Sequence, residues 1–217
     1  MTKNSLRYES ETIVVSYDPK RCIHAAECVH GLPGVFEKDR RPWIDPSQAS
    51  PDEIVEVVSR CPTGTLTYER KDGGAGEEPP KKNIATLVQD GPVYISGNIE
   101  IKTSEGQQQE TRVALCRCGA SKNRPFCDNS HLEAEFSDAG EIGDGRLVQA
   151  EEISPPATVR LTAAPNGPLL VDGPLTVRSA DGSQSCSGSK GALCRCGASE
   201  KRPFCDGTHK GIGFEAD

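Results

Sequence analysis

Apolar positions in this chain fall in short alternating runs between turn residues, a pattern that predicts strands far more than helices. The run from Tyr8 to Tyr17 alternates well enough for one strand, and Asp18-Pro19 breaks it before Cys22. Ser50-Pro51-Asp52-Glu53 has capping-box spacing with proline at the first helical position, and Ile54, Val57 and Val58 supply a buried stripe. The spacing therefore predicts a helix over 51–60 that delivers Cys61 at its end. Leu66 and Tyr68 suit a short strand. The stretches from Pro92 to Ile101 and from Pro168 to Val177 share one pattern, which predicts in each case alternating strands around a glycine turn, at Gly97 and Gly173. The expected fold class is α+β, rich in β structure.

The stretch 69–83 is charged, glycine-bearing and has nothing to bury, so it reads as a linker between residues 1–68 and the rest. Beyond it the chain repeats itself, with one copy over 84–140, a polar connector over 141–156 and a second copy over 157–217. A copy of about 60 residues is marginal alone, so the two are expected to pack together and share strands. With 22 glycines, 16 prolines and aromatics at 5%, the core must be thin, and a thin core needs staples. Ten cysteines are ample for that.

No basic start followed by an apolar stretch occurs in Met1 to Ser16, and no apolar run is long enough to span a bilayer. A chain that stays in the cytoplasm keeps its cysteines reduced, which favours metal ligation over disulfides. A net charge of −7 argues against a nucleic-acid surface.

The chemistry is concentrated where each copy ends. Cys116-Arg117-Cys118-Gly119-Ala120-Ser121 with Arg124-Pro125-Phe126-Cys127-Asp128-Asn129-Ser130-His131 recurs as Cys194-Arg195-Cys196-Gly197-Ala198-Ser199 with Arg202-Pro203-Phe204-Cys205-Asp206-Gly207-Thr208-His209. Three soft sulfurs and an imidazole at fixed offsets suit one zinc ion or a [2Fe–2S] cluster. The Cys-x-Cys and Cys-x3-His spacings differ from the usual zinc knuckle. A cluster held by three thiolates would carry about −1 when oxidised and about −2 when reduced. Arg117, Lys122, Arg124, Arg195, Lys201 and Arg202 stand where they could offset that charge, or could be plain solvated loop charges. Asp128 and Asp206 could each N-cap a short helix carrying the histidine in its first turn, or close a plain Asx turn; the cap is the favoured reading.

These residues resemble the CDGSH iron–sulfur, or NEET, family. Residues 194–209 match its motif at every fixed position, and residues 116–131 at all but Asn129, where the family has glycine. Asparagine tolerates positive φ best among non-glycine residues, so the turn is expected to survive. The resemblance implies one [2Fe–2S] cluster per copy, held by Cys116, Cys118, Cys127 and His131, and by Cys194, Cys196, Cys205 and His209. It also implies a β-rich pseudo-dimer within one chain, so that no oligomer is required, and the membrane anchor of some relatives has no counterpart. A solvent-facing outer nitrogen on each histidine would couple cluster charge to protons, making the potential vary with pH and the cluster acid-labile.

In the first 68 residues, Cys22, Cys28 and Cys61-Pro62 can be set against the bacterial ferredoxin run, with Ala25 at the second ligand position. This segment resembles divergent single-cluster ferredoxin-like domains, which implies a [4Fe–4S] cluster. Three cysteines alone suit [3Fe–4S]; a fourth ligand would be His24, His30 or solvent. Trp43 reads as core or cluster-shielding packing, and Cys186 as a bystander thiol.

No Ser-His-Asp set, phosphate loop or catalytic carboxylate pair can be assembled, so no enzyme is expected. The reading is a cytoplasmic electron-transfer protein with two [2Fe–2S] clusters and a third [3Fe–4S] or [4Fe–4S] cluster. Its partner would be a redox protein or reductase. The alternatives are a cluster store, donor or redox and pH sensor, and a zinc-dependent interaction scaffold.

Overall fold

The computed structural model describes residues 5–149 and 157–216; the first four positions and residues 150–156 of the expected connector lie outside the described residues. The chain divides into two compact units between Glu78 and Pro79.

The first unit is a three-stranded antiparallel sheet with helices packed on it. It is built from β1 (Leu6–Glu9), β2 (Ile13–Tyr17), α1 (Glu27–Gly31), α2 (Pro51–Ser59) and β3 (Leu66–Arg70), with strand order β1-β2-β3. The single strand expected over 8–17 is a hairpin instead. Ser10 turns the chain: its N–H donates to the Ile13 carbonyl at 2.9 Å and its hydroxyl accepts from Ile13 N–H at 3.3 Å. Alternation cannot separate these cases, because β2 is buried throughout the apolar run Ile13–Val15 while β1 is an exposed edge.

The helix α2 matches its signals. Ser50 accepts from Glu53 N–H, the Glu53 carboxylate accepts from Ser50 N–H at 3.0 Å, and Ile54, Val57 and Val58 are buried against Ile13, Val15, Phe36 and Leu66. The strand β3 runs on through Arg70, into the stretch expected as linker, because Glu69 and Arg70 stay in register with Val14 and Ile13 of β2 and Lys71 N–H donates to the Thr12 carbonyl at 2.8 Å.

The second unit holds β4 (Ile84–Leu87), β5 (Val93–Thr103), β6 (Gly106–Leu115), the short α3 (Ser130–Glu133), β7 (Val159–Ala163), β8 (Leu169–Arg178) and β9 (Ser185–Leu193). In each copy a short strand, then a long one, then a third run antiparallel in sequence. The copies are joined by exchange: β4 also lies parallel to β8, and β7 parallel to β5. Apolar residues of all these strands, among them Ile95, Ile99, Ile101, Leu161, Val171 and Val177, make one core.

Gly97 and Gly173 are not turns. Each is a bulge inside a continuous strand, where the register shifts between Ser96 and Ile99 and between Asp172 and Leu175. There the long strand passes from its own copy's first strand to that of the other copy. Positive φ is needed, 148° at Gly97 and 115° at Gly173, and a Cβ on Gly173 would lie 2.3 Å from the Thr158 carbonyl oxygen. Asn83, placed in the expected linker, fastens the crossing: its amide donates to the carbonyls of Ala157 and Pro174 and its oxygen accepts from Asn98 N–H at 2.8 Å. Among the described residues no helix is long and apolar enough to cross a membrane.

Gly173→Ala should destabilise the second unit by about 2–3 kcal/mol, since a methyl group meets backbone and the conformation is disfavoured. Chemical denaturation followed by circular dichroism would measure it.

Candidate metal centre

In each copy the ligand loop is a closed extension of a β hairpin. Past β6, Cys116 N–H donates to the Pro125 carbonyl at 2.8 Å and Cys127 N–H to the Ala114 carbonyl at 2.9 Å; past β9, Cys194 and Cys205 repeat these bonds to Pro203 and Ala192. The motif serines are fully buried and fold the loops inward, with Ser121 Oγ donating to the Phe126 carbonyl and Ser199 Oγ to the Phe204 carbonyl, both at 2.7 Å. First and third cysteines are thus fixed by backbone on either side of the Leu115–Phe126 and Leu193–Phe204 bridges, before any metal is considered.

The donors come in pairs. Cys116 and Cys118 Sγ atoms stand 3.6 Å apart, Cys127 Sγ and His131 Nδ1 3.5 Å apart, and Cys194 and Cys196 Sγ 3.7 Å apart. Two sulfurs bonded at about 2.3 Å to one tetrahedral metal stand about 3.8 Å apart, so each pair has one-metal spacing. Among the described residues no three His, Cys, Asp or Glu side chains gather about a single point as one ion would require. The two pairs of the first loop fit a two-iron centre, in which each iron takes two protein ligands, and the second loop shows one such pair. His209 departs from this arrangement, with Nδ1 2.8 Å from the Asn166 carbonyl oxygen rather than against Cys205.

The surroundings suit metal-bound thiolates rather than free ones. Backbone N–H groups of Ala120, Asn129 and Gly207 donate to the sulfurs of Cys118, Cys127 and Cys205 at 3.4–3.5 Å. Hydrogen bonding between paired sulfurs pulls the Cys118 thiol down to about 6 and pushes Cys116 up. Burial pushes Cys127 up to about 11 and raises Cys194 and Cys205. A bare thiolate is costly at such positions, and a directly bonded cation removes the cost. Burial also lowers the pKa of His131, favouring the neutral imidazole that a metal requires.

The favoured cap reading of the two aspartates is corrected. Asn129, with φ of 71°, sits before α3 and makes no side-chain cap, while Asp128 Oδ1 accepts from Ser130 N–H two residues on, an Asx turn. Its second oxygen accepts from Lys122 N–H, tying the histidine turn to the first cysteines' loop; Asp206 does the same to Thr208 and Glu200. Positive φ at Asn129 and at Gly207 keeps the turn as expected.

The loop arginines are clamps. Arg117 and Arg195 are buried and donate to the carbonyls of Gly91 and Gly167; Arg124 and Arg202 donate to carbonyls of their own loops. Lys122 and Lys201 are exposed.

In the first unit Cys22, Cys28 and Cys61 line one cavity of about 450 Å³ together with Tyr17, His24, Ala25, Trp43 and Thr63. Three elements deliver them: Cys22 follows a turn after β2, Cys28 lies in α1 and Cys61 follows α2. The first and last are fastened by Arg21 donating to the Thr63 carbonyl and Thr65 to the Asp18 carbonyl. His24 and Ala26 take positive φ, bending the loop so that Ala25 is exposed at the cavity wall; His30 is exposed on α1 and absent from the lining. Burial pushes the Cys28 thiol up to about 11. Trp43 packs edge-on to Tyr17 and lines the cavity, as a shield would. Tyr17, which lines the cavity beside Cys22, carried no sequence signal beyond its place at a strand end. Cys186 lies near the start of β9 and packs against the core of the second unit, outside all three cysteine sets.

Comparison with known proteins agrees with this geometry. Residues 8–71 match the family described as divergent 4Fe-4S mono-cluster, and residues 90–132 and 166–210 match the iron-binding zinc finger of CDGSH type. The uncharacterized protein YjdI of Escherichia coli strain K12 is 36% identical over 64 residues, covering 30% of this chain and 84% of YjdI; its counterpart in strain O157:H7 matches equally. No solved structure matches.

Asp128→Ala should weaken iron retention at the first loop about 10- to 100-fold, by analogy with other residues that orient metal ligands. The rate of iron removal by a chelator, followed by absorbance, would show it, and Asp206→Ala should do the same at the second loop.

Proposed function

The chain belongs to the CDGSH-type iron-binding family in tandem form, with a divergent 4Fe-4S mono-cluster domain ahead of it, and from that premise we propose that this iron–sulfur protein is a cytoplasmic electron carrier, not an enzyme. The reading assigns one [2Fe–2S] cluster to Cys116, Cys118, Cys127 and His131, one to Cys194, Cys196, Cys205 and His209, and a [3Fe–4S] or [4Fe–4S] cluster to Cys22, Cys28 and Cys61. A bound cluster supplies one-electron chemistry. Two copies sharing strands act as an intramolecular pseudo-dimer, and a redox protein or reductase is the partner.

One observation carries this reading: the two ligand loops meet backbone to backbone. A Cβ on Gly119 would lie 2.6 Å from the Cys196 carbonyl oxygen, and a Cβ on Gly197 2.6 Å from that of Cys118. No side chain separates them, which suits a short path for an electron and has no use in a pair of independent structural zinc sites. The protein's own groups do the rest: buried arginines stabilise anionic loops and Trp43 limits water at the N-terminal site.

A second reading, cluster storage, transfer or sensing, is favoured by partial exposure of Cys118, Cys196, Cys205 and both ligand histidines, which leaves one side of each loop open to solvent.

Anaerobic purification with metal analysis should give iron and acid-labile sulfide near one to one, with EPR signals on reduction. Zinc in place of iron would overturn both readings. Mixing the reduced protein with an apo-ferredoxin then separates them: electron transfer leaves iron in place, whereas cargo transfer moves it. Ala25→Cys should complete the ferredoxin ligand run, so that EPR of the N-terminal centre becomes uniformly that of [4Fe–4S], with any [3Fe–4S] signal lost.

A further inference from the structure

The two copies are not chemically equal, and the difference lies outside both motifs. In the first copy Asp90 N–H donates to the Asp138 carbonyl at 2.8 Å, and Asp138 N–H returns a bond to the Asp90 carboxylate at 2.7 Å. In the second copy Asn166 and Ala216 make the same reciprocal pair, at 2.7 and 2.9 Å. Asp138 and Ala216 therefore occupy equivalent places. One carries a carboxylate and the other a methyl group.

That carboxylate reaches both ligand loops. Oδ1 accepts from Arg117 Nη1 at 2.7 Å and from Gly140 N–H at 2.8 Å, while Oδ2 accepts from Arg202 Nε at 2.5 Å. Arg117 stands between the paired ligands Cys116 and Cys118, and its guanidinium also holds the Gly91 and Val88 carbonyls. Arg202 belongs to the other copy and holds the Gly197 and Ser199 carbonyls, directly after the ligand Cys196. The side chains of Arg117 and Asp138 are 4% and 6% exposed, so the interaction is screened little by water. Arg124, the counterpart of Arg202, instead faces the ring of Phe214.

We propose that Asp138 is a positioning residue shared by the two CDGSH sites, holding Arg117 of one and Arg202 of the other in a single ion-pair cluster through which one side chain sets the electrostatics of both. This inference rests on the iron–sulfur reading above. Charge and hydrogen bonding near a cluster set its potential, and a negative group disfavours the gain of an electron.

The test is a redox titration of the anaerobically purified holo-protein, monitored by absorbance and EPR, after iron and sulfide have been counted. Asp138→Asn, which keeps the shape and removes the charge, should move the couples of both CDGSH sites upward, and Asp138→Glu should return them toward the wild type. Arg202→Gln, which leaves Asp138 facing Arg117 alone, should move both downward and remains informative if the Asp138 variants fail to fold. A shift confined to one couple, or no shift in either, overturns the shared role while leaving the iron–sulfur reading intact. Wild-type protein without iron and sulfide defeats both.

Discussion

The meeting of Gly119 with the Cys196 carbonyl, and of Gly197 with that of Cys118, is the constraint on which the second unit depends. Two ligand loops can lie in backbone contact only where each has a residue without a side chain, and both glycines also need positive φ. Any larger residue would push the loops apart. Everything upstream serves to deliver them there: the strand hairpins present the loops, the buried serines fold them, and the arginines hold their carbonyls. The geometry of a metal site is usually described from its ligands outward. Here the spacing between two sites is built into main chain.

The two units hold sulfur by different means. In the second, first and third cysteines of each loop are locked by backbone hydrogen bonds within one hairpin, so the site is local in sequence. In the first, Cys22, Cys28 and Cys61 come from three elements around a cavity, and their placement depends on the packing of α2 against the sheet and on the bonds from Arg21 and Thr65. A local site tolerates change elsewhere in its unit. A site assembled from distant segments is only as well ordered as the core behind it.

Much of this was legible in the sequence, because the repeat announced itself and the cysteine and histidine offsets carry chemistry. The α2 cap and buried stripe were readable for the same reason, since helix ends are specified by adjacent residues. What escaped depends on long-range pairing. Gly97 and Gly173 look like turns until the strands from the other copy are seen to take over the pairing there, which makes a bulge. The break at Ser10 was hidden because a hairpin of an exposed and a buried strand alternates like one strand. The favoured cap at Asp128 failed because Asn129 occupies the intervening left-handed position and shifts the aspartate one residue back. Asp138 was invisible for a further reason: comparing copies draws attention to what repeats, and its importance lies in not repeating.

The strand exchange has a consequence for how the chain reaches this state. β4 completes its pairing only when it lies beside β8, with Ile84 opposite Thr176, and β7 only when Ile99 faces Val159. Neither copy has all its strand partners before the other has been made, and pairings that join such distant stretches of chain slow folding relative to local hairpins alone. On a ribosome, the first copy emerges with two strand edges lacking their partners, and it stays in that state until the last third of the chain has appeared.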